Sequence, residues 1–147
     1  MPTPPDTPSL VRRLAAMLYD GLLLASVLFV AGIPLAFVPG TVRHQLAARL
    51  LIRLYLLAVV FLFFAVPWTR GGRTLGMQAW RMRLVAVPGG PLGWGHAARR
   101  FAAALLSWAC LGLGFVWILV DREGRAWHDR LSGTRMVLEP GKRGGEG

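Results

Sequence analysis

The chain has 147 residues, of which 54% are hydrophobic and only 16% are charged. A soluble domain carries about a quarter charged residues, so this composition disfavours both a disordered chain and an ordinary soluble domain. Basic residues outnumber acidic ones by 17 to 7, and the formal net charge of +10 fits either nucleic-acid binding or a membrane protein beside anionic lipid. The single cysteine, Cys110, excludes an intramolecular disulfide and a cysteine-based zinc cluster.

Three long apolar runs decide between these classes in favour of the membrane. Residues 21–38, 54–68 and 101–120 contain no charged side chain. At a rise of about 1.5 Å per residue, the longest run matches a hydrocarbon core of roughly 30 Å. Buried helices of a soluble protein are disfavoured because nothing else in the chain is long enough to cover them. A cleavable signal peptide is disfavoured because Asp20 interrupts the first helix and further apolar runs follow. We therefore predict an all-α membrane protein with no nucleic-acid partner.

The predicted organisation is a single membrane domain, residues 10–138, between two tails. Residues 1–9 contain four prolines and are expected to be a disordered N-terminal tail, and residues 139–147 a flexible C-terminal tail. The hydrophobic segments are expected at about residues 13–38, 50–68 and 101–120. The first two are predicted to span the membrane.

The third segment allows two topologies. If 101–120 spans, the basic residues divide eight to nine between the two sides, and the positive-inside rule gives no orientation. If it is a re-entrant hairpin that turns near Gly112 and Gly114, 14 basic residues lie inside and three outside, with both termini cytoplasmic. Its length favours a crossing. Residues 81–87 and 133–139 resemble strands that can pair only on the same side, which favours the hairpin and predicts a short two-stranded interfacial sheet.

Asp20 is a charged residue inside the first apolar helix, where an ionised group is costly unless it faces protein or water. Arg13 precedes it by two helical turns on the same face, with Ala16 between them. A partner on another segment is the alternative. Asp121, at the end of the third segment, is a candidate partner for Arg12 or Arg13.

The order of Arg13, Ala16 and Asp20 in a first helix, followed by Asp121 after a third, resembles the RDD family of bacterial membrane proteins. That family is named for an arginine and two aspartates in such helices. Three further stretches carry the resemblance, which covers about residues 10–138: GRTLGM at 72–77, RMRLV at 81–85 and WHDRLSGT at 127–134. The resemblance implies a multi-pass membrane protein, for which transport is often proposed and cation/proton exchange is suggested in some members.

Two further sets of residues are candidates. His128 and Asp129 form either a proton relay or, in the plainer interpretation, part of an interfacial anchor and turn. Small residues that recur at i, i+4, i+7 and i+11 in the third segment predict a face for close helix packing, namely Ala103, Ser107, Cys110 and Gly114. The spacing of the remaining residues indicates no catalytic, cofactor or metal site, so we expect neither an enzyme nor a cofactor.

Two functions are compatible with these patterns. Arg13, Asp20 and Asp121 form either structural ion pairs or an ion site built on Asp20. The second interpretation predicts transport of a cation or a proton by an oligomer, because one carboxylate in a short chain makes a poor pathway. The alternative is a non-transporting adaptor or assembly factor that binds an unidentified protein through basic cytoplasmic segments. The expected location is the bacterial inner membrane, with a cytoplasmic N-terminus and contacts to anionic lipid head groups.

Overall fold

Two long helices and a small helical and strand unit make up the protein, as a computed structural model shows. The structure describes residues 7–87, 89–110, 112–121 and 126–139, and within these it gives the backbone alone for Gly114, Phe115 and Ile118. The elements in chain order are α1 (Leu10–Ala36), α2 (Gly40–Arg43), α3 (Leu46–Gly71), α4 (Leu75–Ala79), β1 (Met82–Ala86), α5 (Trp94–Ala109), α6 (Leu113–Val116), a 3-10 turn (Trp117–Leu119), α7 (Trp127–Ser132) and β2 (Thr134–Leu138).

Among the described residues, helices α1 and α3 are the two that are long and apolar enough to span the membrane. They contain 27 and 26 residues, and about 1.5 Å per residue makes each roughly 40 Å long, which exceeds a hydrocarbon core of roughly 30 Å. Their apolar side chains are largely exposed, which identifies lipid as their surroundings. The helices run antiparallel, and the Tyr55 hydroxyl of α3 donates a hydrogen bond to the Ala31 carbonyl of α1 at 3.2 Å. The prediction of two spanning helices is confirmed.

The third apolar run does not form one helix. Helix α5 begins at Trp94, ahead of the run, and ends at Ala109. The chain then turns at Gly112, whose φ of +78° lies in the left-handed region that glycine favours. It continues through α6 and the 3-10 turn, and further along the chain α7 packs against α5. In the described part of this run the chain therefore turns back towards α5, as the hairpin alternative predicted, and does not continue as one spanning helix.

Strands β1 and β2 form the predicted two-stranded antiparallel sheet. Met82 pairs with Leu138 at one end of the register and Ala86 with Thr134 at the other. Since β1 precedes the third apolar run and β2 follows it, their pairing places both segments on the same side of the membrane. The strand pairing expected from the sequence is confirmed, and it agrees with the hairpin.

The protein core lies at one end of the two spans. We call the described residues of 72–139 the head unit, and the core is formed where the N-terminal part of α1 and the C-terminal part of α3 meet it. Alternate residues of β1 point into it, as the period of a strand requires. The buried apolar core residues are Ala16, Ala65, Trp68, Met77, Met82, Leu84, Leu92, Ala97 and Met136. The opposite ends of α1 and α3 are largely exposed.

Candidate functional site

Asp129 is the centre of a buried ion network in the head unit. It is fully buried, near the start of α7, where its carboxylate accepts a hydrogen bond from the backbone N–H of Ala126 at 3.2 Å. Nη1 of Arg13, on α1, donates to its Oδ2 at 2.9 Å. Nη1 of Arg100, on α5, donates to its Oδ1. One carboxylate therefore joins a spanning helix, α5 and α7.

Arg100 is held on several sides. It is only 3% exposed, and Nη1 also donates to the Thr134 hydroxyl of β2 at 3.0 Å. The guanidinium carbon lies 5.3 Å from the centroid of the Trp68 ring of α3, which is a cation–π distance. Arg100 therefore connects α5 to β2 and to the second span as well as to Asp129.

The two titratable side chains at the centre of this network, Asp129 and His128, both have a lowered pKa. Burial by itself would raise the pKa of Asp129, but the positive charges of Arg100 and Arg13 outweigh burial and hold that pKa well below its ordinary value. Burial lowers the pKa of the neighbouring His128 to about 3, and the charge of Arg100 acts in the same direction. At neutral pH, Asp129 is therefore an anion and His128 is uncharged.

Asp20 makes a separate set of contacts. It is 4% exposed, its Oδ2 accepts a hydrogen bond from the Thr74 hydroxyl, and its Oδ1 accepts one from the backbone N–H of Gly76 at 2.8 Å. Thr74 also caps α4 by accepting a hydrogen bond from the N–H of Met77 at 3.2 Å. Among the residues that the structure describes, no basic side chain forms an ion pair with Asp20. Two neutral donors hold this carboxylate.

The backbones of α1 and α4 approach closely beside Asp20. A Cβ atom built on Gly76 would lie 2.3 Å from the Ala16 carbonyl oxygen and 2.8 Å from the Asp20 carboxyl carbon. Only glycine fits this contact, because both obstacles belong to α1 and one of them is backbone. The Gly76 N–H consequently reaches the carboxylate directly.

A cavity of about 370 Å³ lies between the two sites. Arg13, Asp20, Thr74, Arg100 and His128 all contribute to its wall, and most of the remaining wall is apolar. Asp20 lies 16 residues from the end of α1 at Ala36, or roughly 24 Å at about 1.5 Å per residue, compared with a hydrocarbon core of roughly 30 Å. The cavity therefore lies near one boundary of the membrane.

The charged residues singled out in the sequence have different partners in the structure from those considered there. Arg13 is bound to Asp129 instead of Asp20, and Asp121 pairs with Arg130. Arg12 is exposed in the first turn of α1. The local pairing of Arg13 with Asp20 is wrong because each side chain is bound by a different part of the head unit.

The predicted small-residue face is interrupted. Ala103 and Ser107 are buried on α5, but Cys110 is the C-terminal cap of that helix and only half-buried. Gly114 belongs to α6, beyond the turn, and its surroundings lie outside what the structure describes. The four positions therefore do not form one continuous helix face.

Sequence reasoning missed Arg100 and Thr74. Arg100 was interpreted as the boundary of the third apolar run, although its position three residues before Ala103 and seven before Ser107 is the spacing of one helix face. Thr74 and Gly76 occur in the stretch at 72–77 that carries the family resemblance, but no pattern in the sequence indicated their partner. The first signal becomes interpretable once α5 is placed beside Asp129, and the second once α4 is placed beside Asp20.

These features define a class: a membrane protein with two spanning helices, a head unit at one membrane boundary and an arginine–aspartate network that links the head unit to the first span. The chain belongs to the RDD family, whose model matches residues 7–133. No curated protein and no solved structure matches the chain. Among the described residues, no group of three or more His, Cys, Asp or Glu side chains is placed to hold a metal ion.

Proposed function

We propose that the chain is the unit of an oligomeric transporter of the bacterial inner membrane, and that Asp20 binds and releases the transported cation or proton. The observation that carries this proposal is the environment of Asp20. Its carboxylate belongs to a spanning helix, borders a cavity and is held by Thr74 and Gly76, which are both uncharged. A carboxylate that is not neutralised by an arginine can exchange its hydrogen-bond donors for a proton or a cation.

The Asp129 network supports this division of roles. The carboxylate of Asp129 is paired with two arginines. Because their positive charges hold it as an anion, it does not exchange a proton or a cation in this proposal. In the proposal, Asp129 attaches the head unit to α1, and Asp20 is the exchangeable group. Two spanning helices in one chain enclose no complete pathway, so the proposal requires several copies, with N-termini on the cytoplasmic side.

The test is ion flux through liposomes that contain only the purified full-length chain. A pH-sensitive dye inside the liposomes is followed after Na⁺ or K⁺ is added outside. We expect flux for the wild type and its loss for Asp20→Asn, which preserves the shape of the side chain. Glu139→Gln is the matched control, because it makes the same chemical change at the partner of Arg73, whose side chain is about one third exposed. Flux that is equal in Asp20→Asn and wild type, or no greater than in empty liposomes, would contradict the proposal.

A second candidate function is an adaptor that binds a protein partner. The observation in its favour is that Arg12, Arg81, Arg83 and Arg99 are exposed on the head unit or beside it. An acidic partner surface or anionic lipid head groups would match this charge. The test is chemical crosslinking in intact cells, in which the wild type is compared with a variant that has both Arg81 and Arg83 changed to Glu. The double change should weaken the crosslink to the partner. A partner whose crosslinks are unaffected by the double change would exclude this surface.

A further inference from the structure

The cavity of about 370 Å³ has the volume and the lining of a binding site for an amphiphile. Pockets for small molecules have volumes of about 300–1,000 Å³ and predominantly apolar walls. The apolar wall comes from the two spans and from α5, and includes Leu14, Met17, Phe64, Phe101 and Leu105. Leu14 and Leu105 are also exposed, so the cavity communicates with the surface that meets lipid.

Arg100 gives the same cavity a polar group with unused hydrogen-bonding capacity. It lines the cavity, and its Nη1 donates to Asp129 and Thr134. Its buried Nε has no hydrogen-bond partner. The Nε and Nη2 side of a guanidinium matches two oxygens of a phosphate or a carboxylate. An oxyanion in the cavity beside Arg100 would match the guanidinium group in charge.

The charges at the Arg100 end of the cavity favour an anion as well. Arg13 and Arg100 both border it, while His128 is uncharged and Asp129 is the carboxylate that the two arginines share. The other acidic group in the wall, Asp20, is held beside α4 by Thr74 and Gly76 and not by these arginines. The cavity thus combines an apolar wall at membrane depth with a cationic end.

We propose that this cavity binds an anionic phospholipid of the surrounding membrane. One acyl chain lies against the apolar wall between α1, α3 and α5, and the phosphate lies at the polar end of the cavity, beside the guanidinium group of Arg100. A membrane phospholipid is the occupant because free phosphate leaves the apolar wall without a partner, and because lipid is the molecule in contact with this surface. This proposal does not depend on transport by Asp20.

Two glycines of α1 provide a matched test. Gly21 lines the cavity and Gly32 does not, and a Cβ atom at either position meets no atom within 4 Å. Gly21→Leu should therefore fill the cavity without disturbing the backbone, whereas Gly32→Leu adds the same side chain outside it. Ala104→Leu on α5, which also lines the cavity, with the exposed Ala102→Leu as its control, repeats the test from the opposite wall.

The measurement is native mass spectrometry of the full-length chain in detergent, with phosphatidylglycerol and phosphatidylcholine of identical acyl chains added separately. We expect wild type and Gly32→Leu to retain phosphatidylglycerol at least tenfold better than phosphatidylcholine. Gly21→Leu and Ala104→Leu should lose this preference while circular dichroism stays the same. Equal retention of the two lipids by the wild type, or retention of phosphatidylglycerol by both cavity-filling variants, would overturn the proposal. Inorganic phosphate alone should not compete, and competition by it would indicate a phosphate site without a lipid.

Discussion

The substitution Asp129→Asn tests the assignment of Asp129 as the attachment between the head unit and the first span. Asn preserves the size of the side chain but removes the negative charge, so the buried guanidinium groups of Arg13 and Arg100 face each other without it. Breaking a buried ion pair by removing one partner costs about 3–5 kcal/mol. At about 1.4 kcal/mol per factor of ten, the unfolding equilibrium constant should rise by roughly two to four orders of magnitude.

The control for this prediction is Glu139→Gln. Glu139 pairs with Arg73, and both side chains are about one third exposed, at 30% and 37%. A pair that is exposed to this extent contributes about 0–1 kcal/mol. The assay is chemical unfolding of the full-length chain in detergent, followed by tryptophan fluorescence. If both variants lose the same stability, or if Asp129→Asn loses less than about 1 kcal/mol, the network does not hold the head unit to α1.

Three further outcomes are expected. Gly76→Ala should destabilise the protein by about 1–3 kcal/mol through overpacking, whereas Gly71→Ala, where an added Cβ meets no atom within 4 Å, should have little effect on the melting temperature. The pKa of His128 is lowered to about 3 in the folded state from 6.5, so the unfolded chain binds the extra proton. Its contribution to stability is present above pH 6.5 and is lost as the pH falls towards 3, and the melting temperature of His128→Asn should depend less on pH across this range. In variants without the native cysteine, an impermeant thiol reagent should label Val42→Cys from one side of the membrane and Leu131→Cys from the other. Labelling of both positions from the same side would show that the third apolar run crosses the membrane.

The local pattern of the sequence was sufficient for several parts of the fold. Uncharged runs long enough to cross a bilayer predicted α1 and α3, because lipid requires continuous apolar helix whatever the rest of the chain does. The strands at 81–87 and 133–139 and their pairing were predicted as well, and the structure pairs Met82–Ala86 with Thr134–Leu138. At the third run, length favoured a crossing, whereas the count of basic residues and the strand pairing favoured a hairpin with its turn near Gly112 and Gly114, and the structure turns at Gly112.

The partners of the charged residues were decided by the tertiary structure. Arg13 and Asp129 are 116 positions apart, and no periodic pattern connects residues at that separation. Asp20 was recognisable from the sequence as a costly charge in an apolar helix, but its donors, Thr74 and Gly76, come from a loop and a short helix that pack against it. The sequence determines which segments enter the membrane, because that depends on local transfer free energy. Which buried charges meet depends on how distant elements pack, and packing is a property of the whole fold.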